Sequence, residues 1–172
     1  MFYIAFVQTT ECLVIKVAQP NHRKAAWLDS MAEQFSHAVH LGLEAAQTER
    51  ASSRARLHNL VYRPARQQSG LPADYARMAV NAAASLARSY YRLRQSAQHA
   101  SFPKVNRSQG IGLGVNAYAV VQDGERFRLR VSTGVRGCYA WLALCVPPRY
   151  QDRLVRVYGD AKLFKRLCAR AA

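Results

Sequence analysis

Two short apolar segments, Phe2 to Val7 and Cys12 to Val17, are rich in β-branched and aromatic residues and read as strands. An isolated pair of strands is marginal in water. Their partners must therefore come from elsewhere in the chain, and the next strand-like segments stand only after residue 110: Ala117 to Val121, Phe127 to Val131 and Tyr139 to Val146. Most of the stretch between, from about Asn21 to Ser96, has the period of a helix. The order strands, helices, strands predicts an α+β fold in which a helical segment is inserted into one β-structure.

The helical stretch opens after Pro20. From about Asn21 to Thr48 the large residues Trp27, Met31, Phe35 and Val39 recur every fourth position, the inward stripe of an amphipathic helix. A second helix is expected from Ser52 or Ser53 to Tyr62, stopped by Pro64. After the Ser69-Gly70 turn, Pro72 at a first helical position opens a third helix reaching about Ser96. In the later part, Asp123-Gly124 is a turn between two strands. Pro147-Pro148 leads into a short helix over Tyr150 to Val157, and Ala161 to Leu167 reads as one more strand.

Charge narrows the class of partner. The 172 residues hold 25 Lys and Arg against 10 Asp and Glu, a formal net charge of +15 that attracts polyanions. Of these, 12 basic and 6 acidic residues precede position 101, and 13 basic and 4 acidic follow from there, so both parts carry the excess. Arg far outnumbers Lys, and a guanidinium both grips phosphate with two hydrogen bonds and stacks on bases. Nucleic acid is the expected partner, and no membrane is, because no basic amphipathic anchor or long apolar run is present. The N-terminus, interrupted by Gln8, Thr9, Thr10 and Glu11, lacks a basic leader and a cleavage site. Cys12, Cys138, Cys145 and Cys168 form no C-x-x-C pair and read as buried free thiols, which fits a cytoplasmic location.

Two basic surfaces can be placed. On the third helix Arg77, Asn81, Ser85, Arg88 and Arg92 follow at steps of three or four and share a face about 22 Å long. That face suits a phosphate backbone. Tyr90 and Tyr91 lie beside it; helical tyrosines are more often core than stacking platforms. On a later strand Arg126, Arg128 and Arg130 alternate with Phe127, Leu129 and Val131, which puts three guanidinium groups on one side of a sheet. Lys104, Arg107, Arg136, Arg149, Arg153 and Arg156 add charge in nearby loops and the short helix.

Catalytic readings are weaker. Glu33, His37, His40 and Glu44 share one helix face, but it lies opposite the apolar stripe, so a solvated face is expected in place of a metal site. After residue 100 the only carboxylates are Asp123, Glu125, Asp152 and Asp160, in turns or the basic helix. The string Gly110-Ile111-Gly112-Leu113-Gly114-Val115-Asn116 is too short and differently spaced for a dinucleotide fingerprint. No catalytic residue, metal or cofactor is expected.

The segment order also carries a resemblance. Cys12 to Val17 followed by Gln19-Pro20 and a long helix, Gly70-Leu71-Pro72-Ala73, Phe102-Pro103-Lys104, the block Phe127 to Gly134, Tyr139 to Pro147 and Asp160 to Arg166 together resemble the N-terminal half of TnpB, the transposon-encoded RNA-guided nuclease, and of type V CRISPR effectors. The resemblance implies a small antiparallel wedge β-barrel, residues 1–20 and 101–172, with a helical recognition lobe, residues 21–100, inserted after the first strands. It implies a grip on structured guide-type RNA, with target DNA in an RNA–DNA heteroduplex, by Arg77, Asn81, Arg88, Arg92, Arg94, Lys104, Arg107, Arg126, Arg128, Arg130, Arg136 and Arg149. The family's RuvC nuclease domain is not reached, so activity would need a separate nuclease chain or a longer product. Gly110 to Asn116 echoes the first RuvC strand, but Gly112 stands where an Asp would hold metal, and the apparent wedge strands come after it. The reading of another class is a basic structural or interaction subunit of a ribonucleoprotein complex without a guide function.

Overall fold

The computed structural model describes residues 3–8, 11–96, 99–105, 110–114, 116–124 and 126–158. Its elements are β1 (Tyr3–Gln8), β2 (Glu11–Val17), α1 (His22–Thr48), α2 (Arg54–Ser69), α3 (Ala73–Gln95), β3 (Tyr118–Asp123), β4 (Arg126–Ser132), β5 (Tyr139–Cys145) and α4 (Pro148–Tyr158). The chain divides into two compact units, Met1–Ala25 with Val115–Ala172, and Ala26–Gly114. It is an α+β protein.

The first unit is built on a five-stranded sheet ordered β1-β2-β5-β4-β3, with every neighbouring pair antiparallel. The N-terminal hairpin meets the later strands through Lys16 opposite Cys145 and Val17 opposite Leu144, extended by the Ala18 amide donating to the Ala143 carbonyl at 2.8 Å. Alternation then decides what is inside. Ile15, Val17, Phe127, Leu129, Val131, Leu142 and Leu144 are buried, and Leu154 of α4, which contacts β3, joins this core. β1 and β3 stand at the two ends of the strand order, so the described strands form an open sheet and not the closed barrel that the resemblance implies. The strand expected over Ala161 to Leu167 lies outside the described residues.

In the second unit, α1 buries Leu28, Met31, Phe35, Val39 and Leu43, the stripe read from the sequence shifted so that Trp27 is half-buried. The side chain of Ser53 caps α2 by accepting from the Arg56 amide. α2 does not stop at Pro64; it runs through it to Ser69. The proline removes one donor to the Leu60 carbonyl, but Leu60 is an exposed residue where water can replace that donor, and Leu57, Val61, Ala65 and Ser69 keep the buried stripe continuous. The end comes at Gly70, whose φ of 70° is a left-handed cap that only glycine adopts without strain. The buried Ser69 hydroxyl donates to the Ala65 carbonyl and accepts from the Leu71 amide. Pro72, expected at the first helical position, is instead the cap of α3 with an extended ψ of 152°, and the helix begins one residue later at Ala73.

Residues 101–114 group with the helices, so the division falls after Gly114 and not after residue 100. The reason is packing. Gly112 lies against Phe35 and Met78, and Gly114 against Met78 and the Arg77 guanidinium. The stretch 110–114 is irregular chain laid on helix side chains, not a strand.

α1 and α3 come close at Gly42, where an added Cβ would stand 2.6 Å from the Cβ of Ala83. Substituting Ala gains roughly 1 kcal/mol of helix propensity, but overpacking a rigid contact costs about 1–3 kcal/mol or more. Gly42→Ala is therefore expected to lower stability by about 1 kcal/mol in urea titration, whereas Gly110→Ala, with open space around it, leaves it unchanged. The Tyr75 phenol, buried at the start of α3, is pushed up to about 12 by burial and, secondarily, by the Asp74 carboxylate. In the unfolded chain it ionises near 10. Its contribution is thus complete below about pH 10 and lost as pH rises toward 12. Unfolding measured across that window should show a steeper alkaline fall for the wild type than for Tyr75→Phe.

Candidate nucleic-acid interface

The site grows from the register of β4 and β5. Residues directly opposite on antiparallel strands share a face. Arg128 stands opposite Ala143, Arg130 opposite Trp141 and Ser132 opposite Tyr139, while on the other side β3 sets Asp123 against Arg126, Val121 against Arg128 and Ala119 against Arg130. This is the solvent face. Arg126 and Arg128 are exposed, Arg130 is half-buried, and their neighbours Phe127, Leu129 and Val131 point into the core. The alternation expected for these arginines is present.

The surrounding side chains make the face more than a row of charges. Trp141 is 40% exposed and Tyr139 45%. The Arg130 guanidinium lies 4.5 Å from the centroid of the Tyr139 ring, a cation–π contact along the diagonal of the register. Lys16, exposed and opposite Cys145, continues the basic edge onto β2. Between Trp141 and the pair Arg126 and Arg128 the strand carries only Ala143 and Cys145. These small residues leave an open groove of about 540 Å³, which runs on to Val146 and Gln151 at the start of α4.

Lys24 closes one side of that groove. Ala143 offers its carbonyl to β2 through Ala18, so the carbonyl of Trp141, two residues away, faces the same edge. β2 has already ended there, and Pro20 has no N–H to offer. The Lys24 ammonium donates to the Trp141 carbonyl instead, at 2.7 Å. Lys24 is held in the first turn of α1, where the Asn21 side chain accepts from its backbone amide.

The remaining predicted residues are more scattered. On α3, Arg77, Arg88, Arg92 and Arg94 are exposed and Asn81 half-buried. Arg77 is not a bare cation: it pairs with Asp74 at 3.3 Å, a partner that lies one turn before the stripe. Arg92 and Arg94 occupy the last turn, where positive charge opposes the helix dipole. Tyr91 donates to the Ala46 carbonyl, and Tyr90 packs edge-on against Tyr91 and Phe102, so both serve helix packing. Lys104 and Arg136 are exposed in loops, and Arg149 lies over the Tyr150 ring at 4.8 Å. Arg107 lies outside the described residues, as do the side chains of Arg153 and Arg156.

Glu33, His37, His40 and Glu44 are all exposed, with His40 and Glu44 3.2 Å apart. Among the described residues no group of three or more His, Cys, Asp and Glu side chains comes together. Cys138 and Cys145 are exposed free thiols, contrary to the expected burial. Cys145 falls on the outward parity of β5, and Cys138 lies in the loop before it. Among the described residues no helix is long and apolar enough to cross a membrane.

Trp141, Tyr139, Lys16 and Lys24 were not marked by sequence. Tyr139 to Cys145 is apolar at every position, so nothing in it told which parity faces water. The chain matches no known family model, and no curated protein matches it.

Lys24→Met should leave the Trp141 carbonyl without its donor while keeping the aliphatic stem. A loss of about 1 kcal/mol in chemical unfolding is expected.

Proposed function

We propose that this chain is an RNA-binding module that grips nucleic-acid backbone without reading its sequence. On the resemblance it is the wedge and recognition part of a TnpB-like, RNA-guided DNA-targeting protein, without a nuclease centre of its own and working with a separate nuclease chain or domain. The observation that carries the RNA-binding reading is the outer face of β4 and β5. Arg126, Arg128 and Arg130 stand in one row beside the exposed Trp141 and Tyr139, with Lys16 and Lys24 on the flank. A row of guanidinium groups at strand spacing, about 7 Å between alternate residues, is close to the spacing of phosphates along a strand of nucleic acid. The formal charge of +15 adds long-range attraction.

In this reading the exposed arginines of α3 are a second surface, which lacks the exposed aromatic rings found beside the sheet arginines. A small wedge-type barrel would need the open sheet to be closed by residues beyond those described, the segment Ala161 to Leu167 being the one with strand character. The parts contacted would be the scaffold of a structured guide RNA and the backbone of a guide–target heteroduplex.

Affinity for a paired RNA stem is expected to fall steeply with salt, since each neutralised phosphate releases condensed counterions. Arg126, Arg128 and Arg130 changed together to Ala should weaken binding at least tenfold at low salt and flatten the log–log salt slope by about two units. Arg77, Arg88 and Arg92 changed together should have a smaller effect. Filter binding at several salt concentrations reads all three. A flat salt profile, or freshly purified protein with a protein-like 260/280 nm ratio and no affinity for RNA, would instead favour a basic interaction subunit.

A further inference from the structure

We infer that the groove beside Trp141 takes one unpaired nucleotide, its base stacked on the indole and its phosphates held by Arg126 and Arg128. The inference rests on the RNA-binding reading and adds a substrate class to it: single-stranded nucleic acid, at a defined place. Three features of the sheet carry it.

The first is the aromatic itself. Trp141 lies on the outward face of β5, just past the end of its pairing with β2, and two-fifths of this large apolar ring is exposed. Its neighbour Tyr139 already has the Arg130 guanidinium over its ring, whereas Trp141 borders open space. The second is shape. Ala143 and Cys145 form a low floor on the outward parity of β5, and the resulting groove of about 540 Å³ lies in the range of roughly 300–1,000 Å³ typical of small-molecule sites. That is room for a base and its sugar. The third is charge. Arg126 and Arg128 stand on one wall, and Lys24 is anchored on the other by its bond to the Trp141 carbonyl. An apolar platform between cations matches a flat, uncharged base attached to an anionic backbone. It does not match an acidic peptide, which has nothing flat to lay on the indole, nor a fully paired duplex, whose base faces are hidden in its own stack.

The partition between single-stranded and paired RNA is the test. The probes are a short oligouridylate and a blunt, fully paired RNA duplex, titrated against the full chain by fluorescence anisotropy and by tryptophan emission. Oligouridylate is expected to quench the wild type, and Trp141→Phe, which leaves Trp27 as the remaining indole, should lose that quench while keeping affinity within about threefold. Trp141→Ala should bind oligouridylate about tenfold more weakly and the duplex unchanged. Ala143→Leu, which fills the floor at an exposed strand position and leaves the indole in place, should also weaken oligouridylate selectively, so the outcome does not depend on the stability of the Ala variant. Duplex binding without oligouridylate binding, or equal losses for both probes in Trp141→Ala, overturns the inference and leaves the RNA-binding reading standing. Binding of neither probe overturns that reading and the inference together.

Discussion

The hairpin of β1 and β2 joins the rest of the sheet through two residue pairs, Lys16 with Cys145 and Val17 with Leu144, and one further amide from Ala18. Much else follows from this short seam. It makes β5 a central strand, which fixes Leu142 and Leu144 inward and turns Tyr139, Trp141, Ala143 and Cys145 to water. Because the seam stops at Ala18, the next outward-facing carbonyl on that edge, that of Trp141, has no strand partner, and the first turn of α1 supplies Lys24. The same register through β4 sets the arginine row beside the indole. A shift of one residue would send every one of these side chains to the opposite face, and burying Arg126 or Arg128 without a partner costs far more than any single apolar contact returns.

The general plan was legible because period and punctuation are local properties. The stripe of Met31, Phe35 and Val39, the alternation of Arg126 to Val131 and the Asp123-Gly124 turn each reflect forces acting within one element. Pro64 misled for the opposite reason: its penalty is local, but the burial of Val61 and Ala65 that outweighs it is a tertiary quantity. Residues 101–114 misled likewise, since the small volume that lets Gly112 and Gly114 lie on Met78 has no periodicity to read. Half of the candidate site was visible. The arginines announce themselves by alternating with apolar residues, whereas Trp141 sits in a strand apolar throughout, and Lys24 matters only through a carbonyl more than a hundred positions away.

On both basic surfaces the charge is managed by local contacts. On α3 the charge is partly spent inside the molecule: Asp74 answers Arg77, and Arg92 and Arg94 answer the helix end. On the sheet, Arg130 leans on an aromatic ring, which orients the guanidinium without neutralising it. Crowding like charges on one face opposes folding through self-repulsion. The sheet tolerates it because every second residue of β4 is anchored in the core, so the arginines ride on a backbone held by other forces.

The separation of the seam's two sides along the chain has a consequence for synthesis. Val17 leaves the ribosome long before Leu144, and at about 5–20 residues per second the interval is on the order of ten seconds. During it the N-terminal hairpin has no sheet to join, while the helices, whose contacts are mostly close in sequence, can already assemble. The nascent chain thus carries an unsatisfied strand edge next to a finished helical body. A truncated product ending before Tyr139 would keep that edge permanently open, a template for pairing with other chains.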